Sequence, residues 1–377
     1  RGGSRMSRKA VCRITAAVAR SLTRNVIDAL FAVGIKDLHV TPAKSSVIQE
    51  PAGFLSMFRR NDLREDPADV IQVLVPRTHQ AAVQMLIANK AQLHIPGRGS
   101  VISEDVELIR GHDMCLENAD IQSFKPNTVQ LQHELMGICC IVQRGQGDTV
   151  ARVALDTGVG VPTINYGTGT GVRDKMGLLR ITIPAEKEII HVATSSYDAE
   201  VTMEMMIEAG KLDQPGKGFI YTFPLQQGLL NLKVSQGKQR HAASIEQIVA
   251  AMDHIKGGTE WRRRSETQAS GGQKRSYLSG LYDLTLICDE GKGGDLVRAA
   301  MSAGAAGATI YRMKHVSPAD SPRSVIAPSR EAASMIVSDS QIESINEVLE
   351  SHGAFGDEAH GVLYSRRAPQ AFTYIAK

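Results

Sequence analysis

Paired cysteines, long apolar runs and excess charge are all scarce in this chain. Its 377 residues include five cysteines (Cys12, Cys115, Cys139, Cys140 and Cys288), an odd number with no CxxC spacing. That pattern argues against a disulfide framework and gives no zinc signature, so a reducing, cytoplasmic setting is expected. No apolar run in the sequence approaches the roughly 20 residues of a membrane-spanning helix. The formal net charge is only +3, too small by itself to argue for nucleic acid. Neither nucleic acid nor a membrane span is therefore expected. No secretory signal is legible, and within residues 1–6 Arg1 to Arg5 read as an appended remnant, with Met6 as the natural start. The histidines His79, His94, His112, His133, His191, His241 and His254 show no HxH or HExxH spacing, so no metal site is expected and no cofactor is required.

What the chain does have is repetition. Pro96-Gly97-Arg98-Gly99, Pro215-Gly216-Lys217-Gly218 and Ala359-His360-Gly361-Val362 each hold one basic residue beside glycine, just ahead of a strand-like run. Each motif closes a segment of similar layout. The first segment reads as a strand over 11–18 and a helix marked by Val26, Ile27, Leu30 and Phe31 and stopped by Gly34. A strand from 38 follows, then a long loop over 41–68, a strand over 70–75 and a helix over 78–89. The second reads as a strand over 137–142, a helix over 149–157 stopped by Gly158, and a strand opening at Thr163. Next come a glycine-rich loop, a strand over 188–192 and a helix over 199–209, with Asp198 and Glu200 capping and starting it. The third repeats the order, with strands over 284–288, 309–311 and 333–337 and helices over 295–303 and 340–351. From the first helix stop to the later glycine the spacings are similar: 65 residues (Gly34 to Gly99), 60 (Gly158 to Gly218) and 57 (Gly304 to Gly361).

A length of 377 residues suggests two to four domains, and a periodic layout decides for three. The expected fold is α+β: three tandem ferredoxin-like (βαβ-βαβ) units at 7–110, 135–235 and 280–377, with connectors at 111–134 and 236–279. Such a sheet carries helices on one face only, and packing three sheets together would cover the other faces. Within the second connector, residues 244–255 read as an amphipathic helix. The basic stretch after it, with Trp261 beside Arg262-Arg263-Arg264, reads either as a flexible solvated linker or as a docking segment.

The chemistry-bearing run is Gly167-Thr168-Gly169-Thr170-Gly171, followed by Arg173 and Lys175. Alternate glycines let backbone approach a ligand, and their N–H groups can cradle an anion. Arg173 and Lys217 can each donate to phosphate oxygens. No helix follows directly, so the run is neither a Walker loop nor a dinucleotide fingerprint. The plain alternative is a mobile hairpin. Cys139 and Cys140, adjacent on a strand, point to opposite faces and read as core. No serine–histidine–acid arrangement can be argued from sequence order.

These features resemble the PII signal-transduction family, the second segment most closely. Gly158, then Thr163, Gly169 and Gly171, is similar to that family's spacing from helix end to the base of its T-loop. Gly216-Lys217 before Gly218-Phe219-Ile220-Tyr221 is similar to its B-loop. The resemblance implies an intramolecular pseudo-trimer, monomeric as a chain, with ATP or ADP bound in clefts between repeats. It assigns ligand binding to Thr163, Gly169, Gly171, Gly216 and Lys217, with Arg98 and Thr309 from the sister repeats; Gly167, Arg173 and Gly218 join the expected set from the glycine-rich run and the motif themselves. It implies a regulatory or sensor protein, more a binding protein than an enzyme. The expected ligand is adenine nucleotide (ATP, ADP or AMP) or another small anionic metabolite, and T-loops would signal to an unidentified target protein. An enzyme using one diverged cleft, or a scaffold gripping partners through unequal loops, are the alternatives.

Overall fold

The computed structural model describes residues 8–49, 62–95, 97–111, 130–171, 186–230 and 275–375. Three βαβ–βαβ units account for most of them. The first runs β1 (Lys9–Ala19), α1 (Thr23–Ala32), β2 (Leu38–Gln49), β3 (Asp62–Val75), α2 (Gln80–Lys90) and β4 (Gly99–Arg110). The second runs β5 (Leu135–Gln143), α3 (Gly147–Thr157), β6 (Thr163–Gly171), β7 (Glu186–Ser195), α4 (Ala199–Gly210) and β8 (Gly218–Leu225), with a short extra strand β9 (Gln227–Leu229). The third runs β10 (Leu278–Asp289), α5 (Gly293–Ser302), β11 (Gly307–Val316), β12 (Ser329–Ser338), α6 (Asp339–Ser351) and β13 (Val362–Thr373). The protein is thus α+β, with repeated β-α-β units joined in one 13-stranded antiparallel sheet.

The spatial order is the same in every unit: β2-β3-β1-β4, β6-β7-β5-β8 and β11-β12-β10-β13. In each first strand alternate residues face the helices. Cys12, Ile14, Ala16 and Val18 pack on Val26, Leu30, Val83 and Ile87. Ile138, Cys140 and Val142 do so with Val150, Ala154, Met203 and Ile207. Leu284, Leu286 and Cys288 do so with Val297, Ala300, Ile342 and Ile345. This period-two alternation gives each unit its own apolar core. The opposite faces meet one another: Val11, Leu74 and Val106 pack on Ile287, Met313 and Tyr364, and Cys139, Tyr221 and Phe223 cluster with Ala368 and Ala371.

The units join in a cyclic register. The fifth residue after each helix-stop glycine pairs with the eleventh after the glycine of the next unit: His39 with His315, Thr163 with Ser45, Thr309 with Gly169. The fourth strands follow a cyclic rule of their own, the second residue after the head glycine pairing with the eleventh after that of a neighbouring unit: Leu363 with Arg110, Val101 with Leu229 and Ile220 with Phe372. Strand β9 therefore supplies to the second unit the reach that β4 and β13 have in one piece.

Two expectations need correction. The long loop over 41–68 is largely a hairpin. Strands β2 and β3 pair continuously from His39–Gln72 to Gln49–Asp62, leaving only 50–61 outside the described residues. Pro42 and Pro67 suppress the strand signal there, yet each sits in the ladder with its partner strand. Asp198 occupies the α4 N-cap but makes no capping bond, because its backbone is already helical (φ −92°, ψ −10°). The helix at 244–255, Trp261 with its arginines, and Cys115 lie outside the described residues.

Glycine at the head of the fourth strand is a packing requirement. A Cβ on Gly99 would lie 2.0 Å from the Ala17 carbonyl oxygen, and one on Gly218 would lie 2.3 Å from that of Ile141. Either G99A or G218A should lower unfolding free energy by about 2–3 kcal/mol, since backbone has to shift. G145A should cost only about 1 kcal/mol, because Gly145 has φ +85° but open space around it. Urea unfolding of the three variants checks the contrast.

Candidate functional site

The three basic motifs occupy one equivalent place, at the end of each unit's first strand. There the last residue of that strand lies between the third strand on one side and the motif on the other. In the third unit Asp289 is flanked by Arg330 and His360. Its carboxylate takes both: Arg330 donates to Oδ1, and His360 Nδ1 lies 2.8 Å from Oδ2. Arg330 also donates to the His360 carbonyl at 2.6 Å. This place is closed by the protein's own anion.

In the second unit the residue equivalent to Asp289 is Gln143, paired with Lys187 across β5 and β7. On its other side Val142 pairs with Gly218, which puts Lys217 next to Gln143. Gln143 Nε2 donates to the Gly216 carbonyl at 2.9 Å. Two strand spacings separate the lysines, about 10 Å between backbones, a gap that two lysine side chains can close on one anion. Both lysines are half-buried. Neither ammonium has a hydrogen-bond or ion-pair partner among the described residues, and burial alone lowers the pKa of Lys187. In the first unit the same positions hold Ala68, Ala19 and Arg98, a single cation.

The glycine-rich run behaves differently from the expected cradle. Residues 167–171 are the second half of β6, and Gly169 and Gly171 pair with Thr309 and Gly307 of β11. A Cβ on Gly167 would lie 2.8 Å from the Ile310 carbonyl oxygen. The close approach that glycine permits is therefore to a neighbouring strand. Gly167 nevertheless lies opposite Lys187, beside the lysine pair. Gly216, at φ +71°, turns the chain into Lys217. Thr163 and Thr309 face the centre of the molecule, and Arg98 lies in another unit. Arg173 is outside the described residues. Of the expected set, the structure brings together Gly167, Gly216, Lys217 and Gly218 and adds Lys187 and Gln143.

A second feature lies where the three inner faces meet. A cavity open to solvent is lined by all three units. Its lining positions are equivalent from unit to unit but carry different residues. Thr41, Asn165 and Tyr311 form one such set; Gln72, His191 and Ser334 form another.

At its wall sits a buried charge network. Cross-strand pairs at one equivalent position are Arg13–Glu104, Gly137–Phe223 and Asp283–Arg366. Arg13 and Glu104 approach to 2.8 Å, Arg366 and Glu104 to 2.9 Å, and Arg366 and Asp283 to 2.8 Å. Tyr221 donates to Asp283 at 2.8 Å, and Arg13 donates to the Tyr364 hydroxyl at 2.7 Å. The Arg366 guanidinium lies 3.7 Å over the Phe223 ring, and that ring fits because Gly137 beneath it has no Cβ. Burial by itself would raise both carboxyl pKa values. The facing guanidinium groups outweigh it, and Glu104 and Asp283 stay below the usual carboxylate range. Cys139, by contrast, is pushed up to about 12 by burial and is a poor nucleophile.

No protein-family model matches this chain, and no curated protein matches it.

Sequence reasoning missed Lys187, Gln143 and the buried quartet. A signal for the quartet was present: Arg13 and Asp283 are charges inside otherwise apolar strand runs, where a buried charge has to be paired.

Two outcomes follow. Removing one member of the quartet leaves a buried charge unpaired, so R366M or E104Q should cost about 3–5 kcal/mol in urea unfolding. Burial also holds His39 and His191 down to about 4, whereas the unfolded chain protonates histidine near 6.5. The unfolded state then binds more protons below that value. Stability should be level above about pH 7 and be lost as pH falls from about 6.5 to 4. A drop of roughly 4 kcal/mol between pH 7.5 and pH 5 is expected, flattened in the double variant H39Q/H191Q.

Proposed function

We propose that the chain is a PII-like regulatory protein, with ferredoxin-like units at 7–110, 135–235 and 280–377 packed as an intramolecular pseudo-trimer. It binds a phosphate-bearing ligand at the second unit, with adenine nucleotide the leading candidate. One comparison carries this reading. Asp289 bridges Arg330 and His360 in the third unit, whereas neutral Gln143 stands between Lys187 and Lys217 in the second. An external anion takes the place of the missing carboxylate, held by two charge-assisted contacts. Residues 172–185 join β6 to β7 immediately before Lys187. A ligand on Lys187 therefore acts on the end of that segment and changes its fit to a protein partner. The third unit holds its own anion and the first has one cation, so binding is confined to a single place.

Titration calorimetry with ATP, ADP, AMP and inorganic phosphate tests the reading. Wild type should bind at least one nucleotide. K187A and K217A should each weaken it about tenfold or more, in line with roughly 1.5–3 kcal/mol per charged hydrogen bond. Q143D should abolish binding by installing the internal anion of the third unit. Because burial depresses Lys187, affinity should fall as pH rises and that lysine loses its proton. No heat with any of the four ligands, or undiminished binding by Q143D, sinks the proposal.

A further inference from the structure

The axial cavity has a chemistry of its own, distinct from the lysine pair. Its charges are spoken for. Arg13, Glu104, Arg366 and Asp283 are two cations and two anions, each in contact with an opposite charge. Nothing in that quartet calls for a charged guest. His191 also faces the cavity, and burial keeps its ring neutral with a pKa of about 4.

Tyr221, Thr285 and Ser334 are satisfied by Asp283, but other uncharged polar groups of the lining are not spoken for. Thr15 Oγ1 and Gln72 Oε1, side by side in the β1–β3 register, are buried without a hydrogen-bond partner among the described residues. Asn165, only 5% exposed, makes no side-chain hydrogen bond among the described residues. Buried donors and acceptors left without partners destabilise the fold, and a matching guest recovers that cost. Two carboxamides present donor and acceptor side by side, the complement of a cyclic amide or amidine edge. Tyr311, equivalent in position to Asn165, adds an aromatic surface to the same space, against which a flat ring can stack.

The cyclic register explains how such a site arises. Three identical units would put three asparagines, or three tyrosines, around the axis. Fusion into one chain lets one position supply an amide and its equivalent a ring.

We propose that the axial cavity is a second binding site, for an uncharged planar heterocycle with an amide or amidine edge, the chemistry of a free nucleobase. It takes the guest through Gln72, Asn165 and Thr15, against Tyr311. The site is independent of the anion site at Lys187 and Lys217, so the two proposals stand or fall separately.

Equilibrium binding of uracil, hypoxanthine and adenine to the full chain tests this. At least one base should bind. Q72M and N165L should each weaken it tenfold or more, while K217A leaves it unchanged. Nuclear Overhauser contacts between the bound base and the Tyr311 ring in the wild-type chain give the same answer without a variant. The proposal is overturned if none of the three bases binds. It is overturned equally if K217A removes base binding while N165L does not, which would place the base at the lysine pair.

Discussion

One guanidinium holds the three units to one another. Arg366, on the last strand, bonds to Glu104 of the first unit, to the Tyr221 hydroxyl of the second and to Asp283 of its own, and lies over Phe223 of the second. A cation so deeply buried is costly unless its surroundings are anionic and hydrogen-bonded. Two carboxylates and a tyrosine meet that demand, and Arg13 balances the remaining charge. The network forms only when the three inner faces are together, so the registers of the second and fourth strands and the charge pairing require one another. Three identical copies could not build it, because every unit would bring the same charge to the axis.

The same freedom to diverge operates at the outer ends of the first strands. A carboxylate between two basic groups closes that place in the third unit, and in the second a neutral amide stands between two lysines. A single change of side-chain charge at an otherwise equivalent position separates a closed ion pair from two lysines with no acid between them. The lowered pKa of Lys187 fits that difference, since its ammonium is desolvated without an acid beside it.

The order and rough extent of the helices and strands were legible, because Gly34, Gly158 and Gly304 end helices and short apolar runs mark first strands such as 137–142. The arms of the β2–β3 hairpin were not, because Pro42 and Pro67 lie inside them and their stability comes from pairing with each other. The glycine run misled for a related reason. Alternate glycines announce close approach, and sequence does not say to what. Here it is strand β11. Lys217 was legible from its motif. Lys187 was not, since it reaches the same place only through the β5–β7 register.

The sequence alone determined the threefold repetition, the period of each element and the basic residue at the head of each fourth strand. These are local properties, fixed by backbone preference and side-chain alternation along one stretch of chain. Only the tertiary structure decided which charges meet, which glycines face a strand, and which equivalent positions surround the axis. Those depend on distances between residues far apart in the chain, among them Arg13 and Arg366 beside one carboxylate, Glu104. Burial then sets the energy of each meeting, and burial exists only once the three sheets have closed.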